Sequence, residues 1–160
     1  MSLASQRNEG PCRQFASNMA CSLIDSRKWP RSKSLSVTTR QSRRWIVPKG
    51  WPIKRLTPSK SAAREAFEEA GVRGKIGARP IGHFRYRKPP NGAGAEVDCE
   101  VKVFPLLVKR QSATWPEFGQ RVAQWVDPEK AISLIKEPEL KSIVAIFAKR
   151  AAAAASKLIY

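Results

Sequence analysis

The stretch Gly50–Val72 reads GWPIKRLTPSKSAAREAFEEAGV, and the rest of the 160-residue chain is organised around it. Its first part is a loop that contains two prolines, and its second part predicts a helix that runs from Leu56 to Gly71. Thr57 is a favourable N-cap and Pro58 suits the first helical position. Gly71 supplies the left-handed residue at which helices commonly stop.

One side of this predicted helix is apolar and consists mainly of alanine. At about 100° per residue, its members share an arc of roughly 140°. Small side chains allow a helix to lie close to a sheet, which would hold the opposite side of the helix in a fixed place. The members of the apolar side are Ala62, Ala63, Ala66, Phe67 and Ala70.

The opposite side carries Ser61, Arg64 and a cluster of carboxylates. Glu65, Glu68 and Glu69 stand at i, i+3 and i+4 within about 100° of arc. Carboxylates this close repel one another, and Arg64 alone is near enough to relieve that repulsion. Hard oxygen ligands on one rigid face suit Mg²⁺ or Mn²⁺, and a glycine carbonyl in the preceding loop could join them. A solvent-exposed acidic face is the alternative that the residues alone leave open.

The spacing of the whole stretch resembles the Nudix box of the Nudix hydrolases. That box is Gly, five residues, Glu, seven residues, then Arg-Glu-aliphatic-x-Glu-Glu-x-Gly-aliphatic. Leu56 stands where the family usually has the first Glu, and Ala66 is smaller than the usual aliphatic residue. The positions that match are Gly50, Arg64, Glu65, Glu68, Glu69, Gly71 and Val72.

The resemblance implies an α/β fold, an α/β/α sandwich in which a mixed β-sheet is flanked by helices. It implies that Glu65, Glu68 and Glu69 bind metal and activate water, with Gly50 among the metal ligands. Arg64 would orient Glu68 or Glu65 through a charge-assisted hydrogen bond. Enzymes of this family attack a phosphorus of a nucleoside diphosphate linked to another group. The metal neutralises phosphate oxygens and acidifies the attacking water.

Two further segments, residues 44–52 (RWIVPKGWP) and 115–125 (WPEFGQRVAQW), resemble the diphosphoinositol polyphosphate phosphohydrolase branch. This branch also cleaves diadenosine polyphosphates, and the resemblance covers roughly residues 35–148. A polyphosphorylated small molecule is therefore the expected substrate. The basic residues after the box, Arg85, Arg87 and Lys88, could instead belong to a solvated edge strand that binds no substrate. The residues expected to bind substrate are Arg44, Lys49, Arg85, Arg87 and Lys88.

Two other residues are weaker candidates. Glu117 follows the longest predicted strand in a loop rich in Trp and Pro, where a further acid would be well placed. His83 is the sole histidine of the chain. It could act as an acid, a base or a phosphate donor, but we expect it to be structural or exposed.

The net charge of +17 is concentrated in the first two thirds of the chain. Residues 1–49 carry ten Lys or Arg against two acids, residues 50–92 ten against three, and residues 93–160 ten against eight. Such a field attracts polyanions, although a basic surface without a ligand is the alternative. The charge keeps open a nucleotide-pool or RNA 5′-end pyrophosphohydrolase. The departure at Leu56 keeps open a catalytically weak domain that binds nucleotide or nucleic acid.

We expect a disordered N-terminus over residues 1–12, a Nudix domain over 13–150, and a tail or helix extension over 151–160. Residues 13–25 alternate poorly, although they could hold a first strand, and residues 88–94 predict a turn. Pro105 is expected to interrupt the longest strand. The longest predicted strand spans 96–108. The other predicted strands span 35–39, 45–47, 75–76, 80–86 and 122–126, and further helices span 131–135 and 138–148.

Three cysteines without CxxC spacing indicate a reducing compartment rather than a disulfide framework. The N-terminal residues are poor in acids, as in organellar transit peptides, but show little amphipathic order. No apolar run approaches transmembrane length. We therefore expect a cytoplasmic protein without a membrane partner. No pattern indicates an oligomeric state.

Overall fold

The computed structural model describes residues 12–20, 34–39, 43–88 and 96–156. The disordered segment predicted at 1–12 lies outside these residues except for its last position, and the turn predicted at 88–94 lies outside them except for its first. The helices are α1 (Pro58–Ala70), α2 (Pro128–Leu134) and α3 (Pro138–Ser156). The strands are β1 (Cys12–Ala20), β2 (Ser34–Thr38), β3 (Trp45–Ile46), β4 (Lys49–Gly50), β5 (Val72–Ile76), β6 (Gly82–Lys88), β7 (Val97–Gln111) and β8 (Ala123–Val126).

Strand β7 is the centre of the larger, five-stranded sheet. β1 pairs with it in parallel, whereas β6 and β5 pair antiparallel with its earlier and later parts. β4 extends the sheet on the far side of β1, and a smaller antiparallel sheet has the order β3-β2-β8. Helix α1 packs against β1, β4 and β5, and α3 packs against β6 and α2. The predicted mixed sheet flanked by helices is confirmed.

The core lies between these strands and the small face of α1. Ala62, Ala66 and Ala70 are each at most 1% exposed, so the helix approaches the sheet as its alanines predict. Val101 and Val103 of β7 are fully buried. Burying a side chain of this kind stabilises the fold by about 1.5–3 kcal/mol.

Pro105 does not interrupt the longest strand, so that prediction is wrong. β7 continues through it, because the neighbouring pairing is irregular at this point. The register with β1 shifts between Ser17 and Ala20, opposite Phe104 and Leu106. The carbonyl of Pro105 still accepts a hydrogen bond from the backbone N–H of Gly77 at 2.8 Å. A proline is tolerated where a bulge leaves its missing donor without consequence.

Helix α1 begins and ends as its sequence predicts, but its polar side is less exposed than expected. The hydroxyl of Thr57 accepts a hydrogen bond from the backbone N–H of Lys60 at 3.3 Å. Ser61 and Glu69 are buried. The Ser61 hydroxyl accepts a hydrogen bond from the backbone N–H of Ile53 at 3.1 Å, since the preceding loop folds back over the helix.

The remaining elements confirm most of the predicted pattern. The poorly alternating segment forms β1, and the alanine run prolongs α3 to Ser156. Within the described residues, no helix is both long enough and apolar enough to cross a membrane.

Two glycines with positive φ give a paired test of packing at the end of α1. Gly71 (φ 71°) and Gly119 (φ 82°) both adopt a left-handed backbone. Forcing an L-residue there costs about 1–2 kcal/mol. A Cβ at Gly71 would also lie 2.4 Å from Cε3 of Trp115, whereas one at Gly119 would meet nothing within 4 Å. We expect Gly71→Ala to lower the free energy of unfolding by about 1–3 kcal/mol more than Gly119→Ala, measured by urea denaturation. Equal losses would contradict this packing.

Candidate active site

Helix α1 carries its carboxylates beneath two loops, one that precedes it and one that follows β7. In the second loop, the indole N–H of Trp115 donates to the backbone carbonyl of Glu69 at 3.1 Å. The backbone N–H of Glu117 donates to the carbonyl of Glu68 at 3.0 Å. These bonds fix the loop along the C-terminal half of the helix, so that a fourth carboxylate joins the three from α1.

Arg121 links the buried carboxylate of the helix to the acid of the loop. Its guanidinium donates to Glu69 Oε1 at 2.8 Å and to Glu117 Oε2 at 2.5 Å. It also donates to the backbone carbonyl of Thr38 at 3.1 Å. Only 9% of the Arg121 side chain is exposed. A buried guanidinium between two carboxylates is a strong constraint, because removing one partner leaves an uncompensated buried charge.

Burial dominates the proton affinity of two carboxylates. It raises the pKa of Glu69 to about 8, although the positive charges of Arg121 and Lys49 act in the opposite direction. The pKa of Glu65 is also raised, first by burial and then by repulsion from Glu68 and Glu117. Titratable groups whose pKa is displaced toward neutrality, and which share a cluster with like charges, are typical of active sites.

The backbone of Gly50 lies directly against the carboxylate of Glu65. A Cβ built on Gly50 would lie 1.9 Å from Glu65 Cδ and 2.1–2.2 Å from its two oxygens. Arg64 donates to Glu68 Oε1 at 2.5 Å, so it orients Glu68 rather than Glu65. Among the described residues, no three His, Cys, Asp or Glu side chains converge into a ready-made metal-binding group.

Of the predicted substrate-binding residues, Lys49 lies close to the buried carboxylate of Glu69, whereas Arg44 pairs with a different acid. The Lys49 ammonium donates to the Tyr86 hydroxyl at 3.0 Å, and its backbone N–H lies 3.4 Å from Glu69 Oε2. Burial lowers the pKa of Lys49, and the Glu69 charge opposes that shift. The guanidinium of Arg44 forms an ion pair with Glu137, which is 6% exposed, so much of its charge is already compensated.

The other three predicted substrate-binding residues divide into two kinds. Arg85 and Arg87 of β6 lie on an exposed surface, where they pair across the strands with Glu100 at 3.5 Å and Asp98 at 3.2 Å. Lys88 instead lies over the ring of Trp51, with its Nζ 5.4 Å from the ring centroid.

Three features of the loops bear on this interpretation. Trp51 follows Gly50 directly and is 46% exposed, so its indole is accessible next to the residue that lies against Glu65. Leu56, which replaces the usual Glu, is exposed in the turn before the helix. His83 is exposed on β6, as expected.

Sequence reasoning missed Arg121 and Tyr86. Arg121 stands in a segment whose resemblance to the family was noted, but nothing in its local pattern indicates burial. Tyr86 occupies a strand position that alternates with arginines, which predicts only that it faces away from them.

Several known proteins are similar to this chain in sequence or in fold. A family model described as NUDIX domain matches residues 25–147. "Nudix hydrolase 16, mitochondrial" from Arabidopsis thaliana is 31% identical over 144 residues, covering 85% of this chain and 79% of that protein. Human "Diphosphoinositol polyphosphate phosphohydrolase 3-alpha" is 32% identical over 101 residues, covering 62% and 57%. The chain spans about half the length of several other curated relatives that it matches.

A solved structure shares the fold. The crystal structure of a Caenorhabditis elegans Ap4A hydrolase binary complex superposes with a TM-score of 0.56 at 17% identity, covering 89% of this chain and 98% of that one. Identity this low indicates a common architecture and no more. The family model, by contrast, covers most of the chain and includes the helix and both loops of the site. The chain therefore belongs to the Nudix hydrolase family.

Proposed function

We propose that the protein is a divalent-metal-dependent hydrolase that cleaves a phosphoanhydride bond in a (di)nucleoside polyphosphate or a diphosphoinositol polyphosphate. One observation carries the proposal: Glu65, Glu68 and Glu69 lie on the C-terminal half of α1, and Arg121 holds Glu117 beside Glu69, in a family that acts on phosphoanhydrides. The cytoplasm is the proposed compartment, on the basis of the cysteine pattern. Several relatives are named mitochondrial, and cell fractionation distinguishes the two.

The donor chemistry of the site fits Mg²⁺ or Mn²⁺. Both prefer carboxylate and carbonyl oxygens. Glu65, Glu68 and Glu69 would hold the cation, and the backbone of Gly50 lies beside the first of them. When bound, the cation neutralises phosphate oxygens and acidifies the attacking water.

The other roles in the proposed reaction, general base and positioning of the carboxylates, fall to side chains of the protein. Glu65 is the preferred general base, because its pKa is raised and its carboxylate is only partly buried. Glu69 is less suited to that role, because it is 3% exposed and its Oε1 already accepts from Arg121. Arg64 orients Glu68, and Arg121 holds Glu69 and Glu117 in place.

The surface beside the carboxylates supports binding of a substrate in which a phosphate is linked to an aromatic base. Lys88 supplies a positive charge, and Trp51 supplies an exposed ring within cation–π distance of it. Lys49 adds a positive charge near Glu69, and its ammonium donates a hydrogen bond to the Tyr86 hydroxyl. Arg44, Arg85 and Arg87 remain predicted substrate ligands, although each is paired with an acid in the absence of substrate.

Replacing Glu65 by glutamine tests the proposed reaction. We expect Glu65→Gln to lower kcat roughly 100-fold or more, because the neutral amide cannot accept a proton from water. The assay measures products released from diadenosine and diphosphoinositol polyphosphates in the presence of Mg²⁺ or Mn²⁺. Glu129→Gln, at an exposed site on α2, is the matched control and should keep full activity. A wild-type protein that releases no product from any such substrate would overturn the proposed function.

Replacing Trp51 distinguishes the two substrate classes. Stacking of a base on an aromatic side chain contributes about 1–3 kcal/mol, so Trp51→Ala should raise KM for a diadenosine polyphosphate about 5- to 150-fold. KM for a diphosphoinositol polyphosphate, which has no base, should not change. Trp51→Phe should restore most of the affinity. An equal rise in KM for both substrates would show that Trp51 does not recognise a base.

The raised pKa of Glu69 predicts the pH dependence of stability in the metal-free protein. The folded state keeps a proton on Glu69 up to about pH 8, whereas the unfolded chain loses it near the ordinary value of 4.5. Its stabilising contribution is therefore complete below pH 4.5 and lost as the pH rises through 8. In EDTA, we expect Tm to fall between about pH 4.5 and 8 and to level off above that range. We expect Glu69→Gln to flatten that fall, and parallel profiles for both proteins would refute the assignment.

A further inference from the structure

A groove of about 600 Å³ lies where β5 and β7 run antiparallel, and we call it the basic groove. Four of its five lining residues are cations, all of them exposed. No acidic side chain is among the described residues that line it. The lining residues are Arg73, Gly74, Lys75, Lys109 and Arg110.

The register of the two strands places like charges opposite each other. Arg73 pairs directly with Arg110, an arrangement that destabilises a sheet. The pairing is irregular between Arg73 and Gly74, which brings Lys109 into the same region. A Cβ at Gly74 would lie 1.8 Å from the carbonyl oxygen of Leu107, so the strands are in close contact here.

The opposite arrangement occurs between β6 and β7. There Arg85 stands opposite Glu100 and Arg87 stands opposite Asp98, so each arginine faces an acid. None of the groove cations forms an ion pair with an acid in the described parts of the chain. Charges that protect a sheet edge from aggregation have no need to face one another. Four cations gathered without an acid partner would suit a bound anion.

The basic groove lies away from the carboxylates. The guanidinium of Arg73 covers the ring of Phe67, 3.6 Å from its centroid. At about 100° per residue, Phe67 leaves α1 about 160° away from Glu65. The groove is thus on the side of α1 away from Glu65, and we expect its ligand to differ from the phosphate that undergoes hydrolysis.

We propose that the basic groove binds the phosphodiester backbone of single-stranded RNA, independently of base sequence. Arg73 and Lys75 stand two residues apart on β5, about 6.6 Å along the strand, and form a row of charge with Arg110. Such a row fits a chain of phosphates, each able to take the planar fork of an arginine. No aromatic residue lines the groove among those described, so it offers neither stacking nor base readout. A single strand enters a groove more readily than a duplex does.

The test measures binding of fluorescein-labelled oligo(U) and oligo(A) RNA of about 20 nucleotides by anisotropy between about 50 and 200 mM salt. The double variant Arg73→Gln/Arg110→Gln is compared with Arg85→Gln/Arg87→Gln, which removes the same charge from the paired strands. We expect the groove variant to bind about tenfold more weakly or worse. The slope of log K against log salt should fall by about 1.4, or 0.7 for each lost contact. The control should bind within about twofold of the wild type, and both RNAs should bind alike.

Three outcomes would overturn the proposal. Equal weakening in both variants would mean that net charge alone attracts RNA, and unchanged binding in the groove variant would place the RNA elsewhere. Tighter binding of duplex RNA than of single-stranded RNA would contradict the proposal that a single strand occupies the groove. If the first groove variant fails to fold, as judged by circular dichroism, Lys75→Gln/Lys109→Gln replaces it. Hydrolysis should persist in each folded groove variant, so the result does not depend on the proposed enzymatic activity.

Discussion

The buried contact between the Glu69 carboxyl group and the Arg121 guanidinium is the interaction on which the rest of the site depends. The carboxyl group comes from α1, which packs on the larger sheet. The guanidinium comes from Arg121, two residues before β8 of the smaller sheet. The same guanidinium donates to the carbonyl of Thr38 in β2. The pair therefore connects the two sheets through a single charged contact. Breaking a buried pair of this kind by removing one partner destabilises a protein by about 3–5 kcal/mol.

This constraint sets the positions of the other acidic groups. Because Glu69 is fixed, Glu65 one turn earlier is held against the loop at Gly50. Arg121 also brings Glu117 toward the helix, so the loop contributes a carboxylate that the helix alone lacks. The result is an excess of negative charge that one guanidinium does not balance. Such a site attracts a cation of higher charge. Burial first, and repulsion among the acids second, raise the pKa of Glu65 and Glu69.

Local signals predicted local structure well. The cap at Thr57, the stop at Gly71 and the alanine face of α1 depend on neighbours within one or two turns, and all three are confirmed. What could not be predicted depends on register and distant contacts. Arg121 is buried by partners far away in sequence, and Pro105 is tolerated because of a shift in β1. The ion pairs of Arg85 and Arg87 depend on the antiparallel register of β6 with β7. The residue pattern of one strand does not predict which residues of another strand stand opposite it.

Gly50 shows how a glycine can be required without being conformationally special. Among the described residues, only Gly71 and Gly119 are glycines with positive φ, so the backbone at Gly50 would accept other residues. Its side chain is absent because the Glu65 carboxylate occupies that space. A larger residue at Gly50 would reduce the conformational entropy of the unfolded chain, which favours folding. The same residue would displace the Glu65 carboxylate. Glycine at this position therefore lowers the stability of the fold but keeps the Glu65 side chain in place. Substitutions intended to raise the Tm of the protein should leave Gly50 unchanged.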